Sequence, residues 1–379
     1  MHRPAEGQEL RYHAACYSDV PGWDVDNHAA AFRAFLKSCA AVEQRARSQG
    51  AGASWSSDMA LLRACAAAQA RVRSGRRVGT DEARGFFEHY FRPYRLSQPD
   101  RQGLLTGYFE PVLVGARERT DQFNVPLYRR PPDLEAVTDD VLRAAPGIGA
   151  THKRRTADGL VPYFTRREIE AGALAGQGLE LIWLADPVDA FFVQVQGSGL
   201  VRLTDGSRLR ITYDGKNGHP YRSVGRRLIE QGAMTLAAMS LQSLGAYLRA
   251  DRERGRKVMQ HNESFVFFRA LTGREADSPH GALDIPLTPG RSLAVDGSTH
   301  TLGMPVFVDA PTLTHAGNGR AFRRLMIAQD VGSAIAGPER GDIYFGSGDG
   351  AGAKAGITKH KGSFYVLKPV ERPCSRQAD

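Results

Sequence analysis

The sequence predicts a mainly β protein with flanking helices, in which a β-rich insert interrupts a larger, discontinuous domain. Three observations carry this reading. Gly supplies 41 and Pro 20 of the 379 residues, a turn-rich composition that suits short strands better than a helical bundle. Runs of β-branched and aromatic residues recur, each bounded by Gly, Asp or Asn. Along the chain the patterning runs helices, strands, helices, strands. One inserted β domain at about residues 111–216 explains that order, with 1–110 and 217–379 forming the larger domain.

The elements follow in order. Asp24 to Gln49 has helical spacing at Phe32, Phe35 and Leu36, and Asp26 or Asn27 suits its N-cap. Further helices are expected over 58–73 and 80–91. The pattern changes at Gly103: 104–114 (LLTGYFEPVLV) reads as a strand, and a polar, Pro-rich stretch fills 115–157. Strands are expected over 180–184, 190–203 and 208–213. Helical patterning returns at 223–249, broken by Gly232, and at 262–270. Strands resume over 292–296, 304–309, 325–330, 342–345 and 363–367.

Hydrophobic residues at 42% and charged residues at 24% describe an ordinary globular chain. A net charge of +9 favours an anionic partner. The basic residues are dispersed, and the densest cluster, Arg252 to Lys257, includes Glu253 and reads as a solvated helix end. No nucleic-acid motif accompanies it, so an anionic polymer is the better reading and nucleic acid is not expected. The sequence contains no P-loop, no GxGxxG after a strand, no HExxH and no GxSxG, and 346–352 (GSGDGAG) lacks a following Lys-Ser/Thr. The His are scattered without an i, i+4 pair and the Cys show no CxxC, so no metal and no cofactor is expected. Cys39 and Cys65 form either a disulfide or two buried thiols. No run of about 18 apolar residues predicts a membrane-spanning helix, and 1–12 lacks the apolar core of a signal peptide.

Four constellations bear on chemistry. In 107–111 (GYFEP) Tyr108 and Glu110 straddle a strand that Pro closes; an edge strand is the plainer reading. In 192–199 (FVQVQGSG) alternation puts Gln194 and Gln196 on one face, and with Ser198 beside flexible glycines they suit sugar hydroxyls, or a solvated barrel face. In 213–221 (YDGKNGHPY) the Asp-Gly and Asn-Gly steps are turn signals, with Tyr213 and Asn217 as a weak carbohydrate platform. Last, Asp296, Asp330 and Asp342 each sit at the start or end of an apolar strand. A carboxylate there caps backbone N–H groups or serves as a catalytic acid, and capping is the commoner role for any one of them. Three together argue for a shared cleft, where neighbouring carboxylates raise one another's proton affinity.

On these segments, together with 262–268 (NESFVFF) and 328–335 (AQDVGSAI), the chain resembles the membrane-bound lytic murein transglycosylase A family from about Tyr17 to Pro369. Its C-terminal part, about 290–369, resembles the 3D domain, named for three aspartates. The resemblance implies a double-psi β-barrel in the larger domain, a smaller β-barrel insert, and a groove between them holding the glycan. It implies Asp330 as catalytic acid and base and Asp342 and Asp296 as companions; Thr106, Tyr108, Glu110, Gln194, Gln196, Ser198, Tyr213 and Asn217 lie in the matching segments and are inferred from that as groove contacts. The implied partner is the glycan strand of peptidoglycan, bound by a monomer, with cell-wall biosynthetic or lytic complexes as further partners. The implied location is the bacterial envelope, periplasmic or associated with the outer membrane. The implied reaction cleaves the bond between N-acetylmuramic acid and N-acetylglucosamine and closes a 1,6-anhydro ring. Two rivals stand beside it: a hydrolase using Asp330 and Asp342 as a pair, and a non-catalytic wall-binding or wall-loosening module.

Overall fold

The computed structural model describes residues 10–48, 55–73, 75–97, 103–137, 151–332 and 334–370. Ser333, Cys374 and part of the polar stretch at 115–157 lie outside these. The chain divides into two units: Met1–Tyr108 with His280–Gly346 and Thr358–Asp379, and Phe109–Pro279 with Ser347–Ile357.

The first unit carries strands β1 (Arg11–Ala14), β2 (Phe91–Ser97), β3 (Gly103–Glu110), β13 (Ser292–Val295), β14 (Pro305–Ala310), β15 (Phe322–Val331), β16 (Arg340–Ser347) and β17 (Lys359–Pro369). Their order is β1-β2-β17-β14-β15-β13-β16-β3, and β3 pairs back onto β17. The last six strands of that order therefore close on themselves as a barrel, as expected for the larger domain. Its core is built by the apolar runs the sequence displays: Leu325, Met326, Ile327 and Ala328 of β15 are fully buried. Three helices pack outside, α1 (His28–Ser48), α2 (Trp55–Val72) and α3 (Thr80–Tyr90). Phe32 and Phe35 of α1 meet Phe86 and Phe87 of α3, edge to face except for the tilted Phe35–Phe86 pair, with the Phe32 and Phe86 centroids 5.0 Å apart. Each such buried Phe contributes about 1.5–3 kcal/mol.

Two links tie these helices down. Asp26, just before α1, is buried and accepts from both terminal nitrogens of buried Arg291 at 2.7 and 2.8 Å, and from Leu325 N of β15 at 2.8 Å. A disulfide joins Cys39 of α1 to Cys65 of α2, with Cα atoms 5.1 Å apart, which decides between the two alternatives for this pair.

The second unit holds β4 (Val112–Ala116), β5 (Val125–Tyr128), β9 (Glu180–Leu184), β10 (Ser198–Leu203), β11 (Arg208–Lys216) and β12 (Val266–Ala270) in the order β12-β11-β10-β4-β9-β5. Its outer strands β12 and β5 approach each other, so the sheet curls into a barrel. The unit also holds a small sheet of β6 (Leu134–Ala136), β7 (His152–Thr156) and β8 (Gly159–Val161), and helices at Val224–Glu230, Leu241–Ala250, Arg252–Met259 and Asp349–Gly356.

Two expected elements are corrected. The strand expected at 190–203 begins as a helix, Pro187–Gln196, and only Ser198–Leu203 is strand. The Asp186 side chain caps Val188 N at 2.8 Å, Pro187 occupies the first turn, and Gly197 at φ 80 ends it in the left-handed region. The apparent alternation was coincidental: Val193 is buried, whereas Val195 is exposed. The helix expected at 262–270 is instead a loop leading into β12, because the Val266-Phe267-Phe268 run pairs with β11. The helical stretch at 223–249 is two helices separated near Gly232, which sits at φ 69.

Candidate active site

Asp330 ends the buried run of β15 and is itself only partly exposed. Three donors fix its carboxylate. The Tyr108 hydroxyl of β3 donates to Oδ2 at 2.8 Å. Val331 N and Ala282 N donate to Oδ1 at 2.9 and 3.0 Å. Burial pushes the Asp330 carboxyl up to about 6. The three hydrogen bonds oppose that rise, and the charge of Asp342 assists it. Tyr108 is buried, and burial beside Asp330 raises its hydroxyl well above the ordinary phenol range, so it stays a donor.

Asp342 sits on β16, whose neighbour in the sheet is β13. Ala294 of β13 pairs with Asp330 on one side and Asp342 on the other. With a register shift between Leu293 and Ala294 on the β15 side, the pairing sets Asp330 and Asp342 on the strands either side of Ala294, with Cα atoms about 10 Å apart from two strand spacings. Ala294 packs with Tyr108 and Tyr344. Thr106 of β3 donates its hydroxyl to Asp342 Oδ1 at 2.6 Å, and Arg340 donates to the Thr106 oxygen at 2.8 Å. Burial raises the Asp342 carboxyl, while Thr106 and Arg340 pull it down.

Asp296 is held elsewhere. Its oxygens accept from Ser298 N and Oγ at 2.9 and 2.6 Å and from Gly337 N at 2.6 Å. Burial would raise it, but these donors and nearby His300 outweigh burial and hold it below the usual carboxylate range. Its carboxylate thus caps the backbone N–H groups of Ser298 and Gly337.

The remaining expected contacts lie in the second unit. Glu110 is fully buried, accepts from Arg210 at 2.6 and 3.1 Å and from the Ser347 hydroxyl, and so holds the fold. Asn217 is spent likewise: its amide donates to the carbonyls of Phe164 and Glu263, and its oxygen accepts from Phe265 N. Gln196 Oε1 accepts from Phe109 N at 3.2 Å. Gln194 and Ser198 are buried, and Tyr213 is 45% exposed.

Sequence reasoning missed the turn that delivers Ala282 N. It runs from His280, bridged to Pro286, with Gly281 N bonded to Ile285 O at 3.2 Å and Asp284 at φ 54. Gly281 is required by close approach, since a Cβ there would lie 2.6 Å from Gln329 O and 3.3 Å from Asp330 Cβ. The Gly-Ala-Leu-Asp turn chemistry at 281–284 was the available signal.

β15 of the closed barrel thus ends on an acid clamped by three donors. The sequence matches the 3D domain over residues 291–368 and the MltA specific insert domain over 104–269. It is 37% identical over 267 residues to membrane-bound lytic murein transglycosylase A of Escherichia coli (strain K12), covering 69% of this chain and 65% of that protein. It is 35% identical over 289 residues to the Vibrio cholerae serotype O1 protein of the same name, covering 74% and 70%. A crystal structure of membrane-bound lytic murein transglycosylase from Agrobacterium tumefaciens superimposes with TM-score 0.83 at 35% identity, covering 94% of this chain and 97% of that one. E. coli MltA with bound chitohexaose does so with TM-score 0.69 at 28% identity, covering 97% and 98%. The chain belongs to the membrane-bound lytic murein transglycosylase A family. Its match spans 65% of the length of the E. coli relative.

Proposed function

We propose that this chain is a lytic transglycosylase that cleaves the β-1,4 bond between N-acetylmuramic acid and N-acetylglucosamine in peptidoglycan without water. Protonated Asp330 gives its proton to the glycosidic oxygen, and the sugar passes through an oxocarbenium-like state. The resulting carboxylate takes the proton of the muramyl C6 hydroxyl as that oxygen attacks C1 and closes the 1,6-anhydro ring. One carboxylate serves both steps because the nucleophile is internal, whereas a hydrolase usually needs a second. The observation that carries the reading is a carboxyl raised to about 6 yet held rigidly by three donors, suited to donating and retaking a proton.

Asp342 tunes Asp330 by charge, and Thr106 and Tyr108 position the two carboxylates. In the second unit exposed Tyr213 is the candidate glycan contact, while Glu110 and Asn217 support structure. Names of relatives as membrane-bound enzymes support an envelope location; among the described residues no helix is long and apolar enough to cross a membrane. Digestion of sacculi in ¹⁸O-labelled water tests the reaction. The account expects 1,6-anhydro ends without label. Reducing ends carrying ¹⁸O would show hydrolysis, and no release at all would show a binding module.

A further inference from the structure

The second unit contains a cavity of about 610 Å³ that the reaction above does not use; small-ligand sites typically measure about 300–1,000 Å³. Its wall is basic: Arg167, Arg222, Arg227, Arg254 and Lys257 face three carboxylates, Asp251, Glu253 and Glu263. Two of those carboxylates are engaged, Glu263 with Arg222 at 3.3 Å and Glu253 with Lys257 at 2.8 Å. Asp251 accepts from Arg254 N and caps the helix that starts there. The Arg254 guanidinium lies 4.3 Å over the Tyr247 ring and donates to Tyr247 O, so it is held in place. Arg227 stands 3.2 Å from the neutral amide of Gln231, and Arg167 is exposed. Five cations against three carboxylates, two of them paired with Arg222 and Lys257, leave the wall two positive charges in surplus, which a bound oxyanion would offset.

We infer that this cavity binds carboxylate groups of the peptide stems attached to the wall polymer. The ligand class rests on the peptidoglycan reading, because peptide stems are the carboxylate-bearing part of that substrate. Arginine forks suit carboxylates through paired N–H donors. Phosphate presents similar oxygens, so the experiment separates the two sources.

The full chain is titrated with a synthetic stem tetrapeptide bearing free carboxylates, with the same peptide amidated at every carboxylate, and with inorganic phosphate. The same titrations use the double variant Arg167→Gln/Arg227→Gln, both positions being exposed. The expected result is binding of the acid peptide by the native chain, with at least about tenfold weaker binding for the amidated peptide and for the variant, the scale of one lost charge-assisted hydrogen bond. Turnover by the variant should match the native chain on peptide-free glycan strands, and its KM should rise on peptide-bearing sacculi. Equal binding by native chain and variant, equal binding of acid and amidated peptide, or binding of phosphate alone would overturn the inference. A native chain that cleaves neither substrate would sink the enzymatic reading instead, and the peptide titration would still decide the cavity.

Discussion

Replacing Tyr108 with Phe removes one hydrogen bond from Asp330 and keeps the buried ring that packs 5.3 Å from Tyr344. The lost bond, 2.8 Å long, stabilises the ionised carboxylate more than the neutral acid. A hydrogen bond to a charged group is worth about 1.5–3 kcal/mol, and one pKa unit corresponds to about 1.36 kcal/mol. The Asp330 carboxyl, already pushed up to about 6, should therefore rise further, by about one unit given its partial exposure. Cleavage needs the acid form first, so the alkaline limb of the rate profile reports this group. The assay is kcat/KM for release of soluble fragments from sacculi across pH 4–9. For Tyr108→Phe the alkaline limb should move up by about one unit. A limb that stays put or moves down would refute the role given to the Tyr108 hydroxyl.

Thr106→Val should have a related but milder effect: Asp342 loses the 2.6 Å donor that holds it down, so it carries its charge less readily, raises Asp330 less, and the Asp330 limb should shift down slightly. Asp330→Asn should stabilise the fold in thermal melts above pH 6. The folded carboxyl at about 6 lies above its ordinary 3.8, so the native protein loses stability as pH rises from about 4 to 6, by at most about 3 kcal/mol; the gain should vanish below pH 4. Asp26→Ala strands the buried Arg291 and should cost about 3–5 kcal/mol in denaturant unfolding. Alkylation without reductant should leave Cys39 and Cys65 unmodified, and Cys39→Ala/Cys65→Ala should lower stability by about 2–4 kcal/mol.

Much of the barrel was legible because the buried stretches of its strands read as short apolar runs with turn residues between them. Leu325 to Asp330 is one such run, and its terminal carboxylate was legible for the same reason. What periodicity could not resolve was a short amphiphilic segment such as Phe192 to Gln196, where two Val and two Gln fit either period. The caps at Asp186-Pro187 and Gly197 held the better signal. Side-chain destinations were less legible still. The Asp214-Gly215 step, a turn signal in the sequence, instead lies within β11 at a register shift, and Asn217 directly follows that strand; its amide closes backbone groups at Phe164 and Glu263, 53 and 46 residues away. Asp296 looked equivalent to Asp330 by position, and only the partners Ser298 and Gly337 distinguish a cap from an acid. The Ala282 donor lies 48 residues from Asp330, and no local pattern joins them.

The central claim is that one carboxyl group, Asp330, donates and then retakes the proton. Asp330→Asn preserves size and shape, while an amide cannot perform either step. Mass spectrometry of fragments released from sacculi, with sacculus binding followed in parallel, tests it most directly. The account predicts native-like binding with release of 1,6-anhydro products lowered by about 10²–10⁴-fold or more, the typical worth of general acid–base help. Near-native release of 1,6-anhydro products by Asp330→Asn would contradict it.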